Sequence, residues 1–257
     1  MHHTFDKKRH TINLFTYLAF IVMICSVGLI LSGVVGYRYG ITDLKTSLLV
    51  LTKYGVYGCI LAIIFSFMAF GSVLRKDVNI ISLFLIFFTG IISVILVFNF
   101  YNYNMSLKSN PFINDISTDY TNNLEFNYHE KANDSYEKNK GSIQSLQSFG
   151  GFKQPYIYIT PLLLEKNKAL VYEKSLKVIN SMDLKIVFVD NKKGIIEATD
   201  TSFWYGFVDD FIVRVETLTS GVTKIDVRSA SRKGKSDFGV NAKRIKTFMA
   251  LLKDSLG

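Results

Sequence analysis

INLFTYLAFIVMICSVGLILSGVV, residues 12–35, contains no charged side chain, and the nearest ionisable groups are His10 before it and Arg38 after it. About 20 helical residues cross the hydrocarbon core of a bilayer, so this run is long enough to span and predicts a first membrane helix over 12–36. A second uncharged run covers 54–74 and a third 78–100. Lys53 stands at the edge of the second, where its ammonium can reach the interface. A cleaved secretory signal does not fit, because its apolar stretch is about 7–15 residues and ends at a small-residue cleavage site. Cys25 does not read as a lipoprotein acceptor either, since Ile24 stands where a small residue is needed.

Composition divides the chain near residue 100. Of the 30 Lys and Arg and 21 Asp and Glu that give a formal net charge of +9, most fall in the second part, which is only mildly basic and too weakly so for a nucleic-acid footprint. Both cysteines, Cys25 and Cys59, lie in apolar runs, so the polar part has no thiol for a disulfide, a zinc site or a nucleophile. Sidedness is read from Lys7, Lys8 and Arg9 before the first span and from Arg75 and Lys76 between the second and third. Basic residues near span ends favour the cytoplasmic side, which places the polar domain outside; Arg38 and Lys45 in the first loop weaken the asymmetry. Tyr37, Tyr39, Tyr54, Tyr57, Tyr101 and Tyr103 gather at span ends on the side read as external, as interfacial aromatics do. No Asp, Glu, Arg or His lies deep in a span, which argues against a carrier or pump. Gly28, Ser32 and Gly36 have a spacing that permits close helix contact.

The expected class is α+β: a three-helix transmembrane domain (1–105), an Asn-rich connection (106–160) with breakers at Gly150-Gly151 and Pro155, and a soluble domain (161–257). Thr160-Pro161 reads as a hydroxyl cap followed by proline in the first turn, predicting a helix over 161–181 with Ala169, Tyr172, Leu176 and Ile179 inward. Four β-rich runs follow at 184–190, 194–199, 207–218 and 222–230, then a helix over 237–255 with Ile245, Phe248, Met249 and Leu252 on one face. The result is a four-stranded antiparallel meander flanked by two helices. Alternation puts Phe211, Val213, Val215, Ile225 and Val227 under the helices, and Asp210, Arg214, Asp226 and Arg228 on the other face.

That second face admits two readings. The plainer one is cross-strand ion pairing, with Arg228 on Asp210 or Asp226. The other is a recognition surface for an anionic small molecule or envelope partner, because a guanidinium forks onto carboxylate or phosphate. The loop that follows adds Arg232, Lys233 and Lys235 ahead of the last helix, whose N-terminal amides favour an anion unless Ser236 or Asp237 caps them. A hydrolase or transferase using Asp210, Asp226 and Arg228 is the competing function. His129 is the only histidine after residue 100, so no Ser–His pair, no metal centre and no cofactor is indicated. Asp209 and Asp210 are strand neighbours and point to opposite faces. Apart from the lipid bilayer no partner is named by the residues, and no feature fixes an oligomeric state.

IEATDTSFWYGFVDDFIVRV (196–215) and KIDVRSASRKGKSDFGVNAKRIKTF (224–248) resemble the bacterial and plastid family known as domain of unknown function 1499, as do NPFINDIST (110–118) and PYIYITPL (155–162). The resemblance runs over about 110–255. It implies no activity. It marks Glu197, Trp204, Asp209, Asp210, Arg214, Asp226, Arg228, Ser229, Ser231, Arg232, Asp237, Asn241 and Arg244 as motif positions without roles, and it implies the N-terminal tethering that the spans suggest.

Overall fold

The structure is a computed structural model that describes residues 13–73, 80–110, 112–119, 121–122, 124–128, 159–234 and 236–257. Lys7, Lys8, Arg9, Arg75, Lys76, His129, Gly150, Gly151, Pro155 and Lys235, on which parts of the sequence reading rest, lie outside these residues, as does most of the Asn-rich insert. The chain divides into two compact units, Met1–Asn104 and Met105–Gly257.

In the first unit, α1 (Leu14–Arg38) starts where the Asn13 carboxamide accepts a hydrogen bond from Phe15 N at 2.9 Å, satisfying one of the orphan amides of the first turn. A π-helical stretch, Thr46–Thr52, runs directly into α2 (Lys53–Val73), and α3 covers Ile80–Ser109. All three are long and apolar enough to cross a membrane. The second is longer than the sequence suggests, reaching from Thr46 to Ser72, because Lys53 does not end the helix. Its ammonium lies 5.7 Å from the Tyr57 ring centroid, a cation–π contact that keeps the charge near the polar end. Of the small residues expected to permit close approach, Gly36 does so against Thr42, whose Oγ1 lies 2.6 Å from where a Cβ would stand, but the approach of α1 to α2 is made at other glycines. A Cβ on Gly55 would stand 2.8 Å from the Ser26 carbonyl oxygen and one on Gly58 would collide with Ser26 Oγ, whereas Gly28 has open space around it.

In the second unit the elements are β1 (Asp115–Ser117), β2 (Leu162–Leu164), α4 (Lys168–Ser181), β3 (Lys185–Asp190), β4 (Ile195–Thr201), β5 (Val208–Thr217), β6 (Thr223–Ser231) and α5 (Val240–Leu256). They build a six-stranded antiparallel sheet in the order β1-β6-β5-β4-β3, with β2 also pairing on β6. The expected four-strand meander is therefore correct as β3 to β6 and incomplete. The edge of β6 is filled twice, by β1 opposite Arg228–Ala230 and by β2 opposite Thr223–Ile225. The β2 strand replaces the expected first turn of a helix. Pro161 precedes an extended Leu162–Leu164, and the helix begins at Lys168 after the cap Asn167, whose side chain accepts from Ala169 N at 2.8 Å. Ala169 is consequently exposed, and Val171, Tyr172, Val178 and Ile179 face inward.

Both helices cover one face of the sheet. Phe211, Val213, Val215, Ile225 and Val227 are buried there against Val171 and Ile179 of α4 and Ile245, Phe248 and Leu252 of α5, as alternation predicts. The Phe211 and Phe248 rings meet edge-on at 5.5 Å. The opposite face is not open. Leu124 and Phe126, from the segment expected to be a loose connection, pack with Ile195, Ile212 and Ala230 in a second, smaller core.

Candidate functional site

Burial of the second face changes the meaning of its charges. Arg228 is 0% exposed. Its Nε donates to Asp115 Oδ1 at 3.0 Å, Nη2 to Asp115 Oδ2 at 2.8 Å and Nη1 to the Leu124 carbonyl at 2.6 Å, and the guanidinium lies 4.7 Å from the Phe126 ring centroid. Pairing with Asp210 or Asp226 is thus replaced by a fork onto a strand more than a hundred residues earlier. A buried guanidinium demands a matched acceptor, and β1 supplies one. The two expected carboxylates have other cations. Asp226, also fully buried, accepts from Arg214 Nη2 at 2.8 Å and lies 3.0 Å from Lys224 Nζ, and Asp210 takes a two-point bond from Arg232 at 2.8 and 2.7 Å.

Lys224 joins this network through Asp119 as well, at 2.7 Å. Burial alone would lower the lysine, but the two carboxylates outweigh it and hold its pKa above the ordinary value. Asp119 is likewise penalised by burial, yet the bonds from Lys224 and Thr121 and the amides of Asn122 and Thr121 keep its carboxyl well below the usual range. Asp210 raises Arg232 by the hydrogen bonds it accepts. Glu197, buried opposite Ile212, accepts from Asn127 N at 2.8 Å, Asn127 Nδ2 at 2.7 Å and Tyr128 N at 3.0 Å, so it pins the covering segment to the sheet.

A second network occupies one end of the helix-covered face. Arg244 of α5 donates to Ser229 Oγ at 2.9 Å, Asn241 Oδ1 at 2.6 Å, Asp200 Oδ2 at 2.6 Å and Asp209 Oδ2 at 2.9 Å. Asn241 Nδ2 reaches the Asn114 carbonyl and Ser231 Oγ, both at 3.0 Å. Burial pushes the Asp209 carboxyl up, with Arg244 opposing it. Asp209 and Asp210 do diverge, one to Arg244 and the other to Arg232. The start of α5 offers its amides to Asp237 rather than to a ligand, since that carboxylate accepts from Gly239 N and Asn241 N at 2.9 Å each. Burial nevertheless raises the Asp237 carboxyl, as these bonds offset only part of the desolvation.

Of the six candidate residues, Arg214, Asp226, Arg228 and Asp210 are structural partners within the unit, and Lys235 lies outside the described residues. Arg232, at 27% side-chain exposure, is the guanidinium that reaches the surface, with exposed Lys233 next to it. Sequence reasoning missed Asp115, Asp119, Lys224 and Asp200. The first two sit in an Asn-rich stretch with no strand periodicity, and only NPFINDIST hinted at β1. Among the described residues no group of three His, Cys, Asp or Glu is placed to hold a metal ion.

Twelve of the motif positions marked by resemblance fall in these two networks or on Glu197's clasp, and Trp204 stands apart in the turn between β4 and β5. No curated protein matches the chain. A family model described as "Protein of unknown function (DUF1499)" matches residues 115–252, from the carboxylate that holds Arg228 to the last core leucine of α5. More than half of the chain is covered by that match, and the chain belongs to the DUF1499 family.

Proposed function

We propose that this is a membrane-anchored protein of the cell envelope whose sheet unit lies outside the cytoplasm and binds an anionic ligand or partner without catalysing a reaction. The observation that carries the reading is the division of labour among the arginines. Arg214, Arg228 and Arg244 are each paired with internal carboxylates, while Arg232, the most exposed of the four, stands beside Lys233. Asp210 engages Nε and Nη2 of Arg232, and a guanidinium has five N–H donors, so a second acceptor can be served there. Burial of Asp226 and Arg228 in separate ion pairs gives no support to a hydrolase or transferase built from Asp210, Asp226 and Arg228.

The test is thermal unfolding of the full chain in detergent micelles during titration with phosphate-bearing and carboxylate-bearing envelope compounds. Charge-assisted bonds of about 1.5–3 kcal/mol predict that Arg232→Met weakens the stabilising anion by about tenfold or more. If no anion stabilises the wild type, or Arg232→Met responds as it does, the binding reading fails.

A further inference from the structure

β3 (Lys185–Asp190) ends the sheet, and among the described residues it has a neighbouring strand on one side only, β4. Such an edge offers backbone N–H and C=O groups to any strand that can match it, and natural sheets guard it with charge, proline or irregularity. Here the centre of the strand is Ile186-Val187-Phe188-Val189, without a polar residue, and Val189 is 52% exposed. The charges stand at its two ends, Lys185 and Asp190.

A bulge decides where those charges point. Side chains alternate along a regular strand, so two residues five apart would lie on opposite faces. In β3 the register shifts between Ile186 and Phe188, with Val187 as the extra residue, so that Lys185 lies opposite Thr199, Phe188 opposite Glu197 and Asp190 opposite Ile195. These three positions of β4 alternate onto one face, the one that carries Leu124 and Phe126. Lys185 and Asp190 therefore share that face. Ile186 and Val189, opposite Ala198 and Ile196, share the face that the helices cover.

We propose that β3 pairs antiparallel with β3 of a second copy of this chain, in the register that sets Lys185 of each copy opposite Asp190 of the other and Ile186 opposite Val189. Opposed residues of an antiparallel pair share a face, and this register meets that condition at both ends. A slip of one residue breaks it, setting Lys185 against Val189 or Ile186 against Asp190. Two ion pairs then flank an apolar centre. Asp190 has capacity for its new cation, since Oδ1 accepts from Lys193 N at 3.0 Å while Oδ2 is only within 3.9 Å of Lys193 Nζ. The matched charges favour a second copy over an unrelated strand, which would gain the backbone bonds without the ion pairs. Six residues of edge bury less than the about 1,200–2,000 Å² of a stable interface, so the pairing is weak between free molecules. Copies anchored in one membrane meet at a raised effective concentration. The inference is independent of sidedness and of anion binding at Arg232.

The full chain, fused after Gly257 to a donor or an acceptor fluorescent protein, is reconstituted as a mixture into phospholipid vesicles, and high lipid dilution supplies the level of random proximity. Energy transfer above that level, competed away by unlabelled wild type, is expected. Lys185→Glu sets two carboxylates against each other at both ends of the pair, and Asp190→Lys sets two ammonium groups there. Each variant alone is expected to self-associate about tenfold more weakly. Mixed with each other, the two variants present opposite charges at both ends, and transfer is expected to return. Val189→Lys leaves the turn at Asp190 intact, sets an ammonium against Ile186 of the other copy and is expected to abolish transfer. Random-level transfer in the wild type overturns the proposal, whether the edge is bare or taken by another protein. Wild-type transfer that survives both Lys185→Glu and Val189→Lys also overturns it and moves the association elsewhere in the chain. So does failure of the mixed variants to associate when each retains the wild-type thermal transition.

Discussion

Arg228 has to be buried with its charge, and that fixes its chemistry: a guanidinium without water needs a carboxylate of matching shape and acceptors for its remaining hydrogens. Asp115 and the Leu124 carbonyl meet this need. Removing one member of a buried ion pair costs about 3–5 kcal/mol because the other is left desolvated. Arg228→Met is accordingly expected to lower the denaturation midpoint of the sheet unit severely, and Asp115→Asn combined with it to cost less than the two changes separately. Additive losses in such a double-mutant cycle would show that the pair is not coupled. Alternation along β6 correctly separates Arg228 from Val227, so the face was legible in the sequence. Its burial was not, because the cover comes from Leu124 and Phe126 in a stretch whose composition is polar. Asp119 permits a sharper test. Its folded pKa lies below the unfolded value, so its contribution to stability is present above the ordinary carboxylate range and is lost as pH falls through the depressed value. Asp119→Asn should therefore destabilise the protein at neutral pH, and the difference from wild type should shrink as pH falls below about 4. A difference that persists in acid would remove the Lys224 pair as its cause.

At the scale of elements, strands β3 to β6 and the last helix announce themselves by period, whereas β1 and β2 do not. Three residues, Asp115–Ser117 or Leu162–Leu164, are too few to show alternation, and a leucine run after proline reads equally well as a helix start. What makes them strands is the vacant edge of β6, a tertiary fact. The covering residues 124–128 are held in the same way, by side chains of the sheet rather than by their own periodicity. Glu197 is their clasp, accepting both the Asn127 and Tyr128 amides. Glu197→Gln replaces a carboxylate oxygen with an amide that repels one of those N–H groups. Hydrogen exchange at Asn127 and Tyr128 is expected to speed up by about tenfold, the equivalent of one lost charge-assisted bond of about 1.5 kcal/mol, while β5 and β6 stay protected. Uniform acceleration across the sheet would instead mean that Glu197 supports the whole fold.

For the molecule as a whole, three helices are long and apolar enough to cross a membrane; crossing by all three would put residues before the first and after the third on opposite sides, so that one decision would fix the environment of the entire sheet unit. The apolar helices establish membrane association and are silent on direction, which rests on the distribution of Lys and Arg. Lys7, Lys8 and Arg9 before the first span and Arg75 and Lys76 in the short second turn favour the cytoplasm, and Lys108 is the only basic residue in the 30 that follow Phe100. Arg38 and Lys45 in the first loop pull the other way, as do Lys53 at the edge of the second span and Lys108 after the third, which makes four against five. The expectation rests on clustering, since the basic residues at 7–9 and 75–76 adjoin span ends in runs while those on the other side are single. A reporter active only outside the cytoplasm, fused after Gly257, is therefore expected to work, and the same reporter after Lys76 to fail, with a cytoplasmic reporter giving the reverse. The inverted pattern would place the sheet unit inside the cell, where Lys233 and Arg232 would face cytoplasmic anions, nucleic acid among them, and the envelope assignment would have to be abandoned.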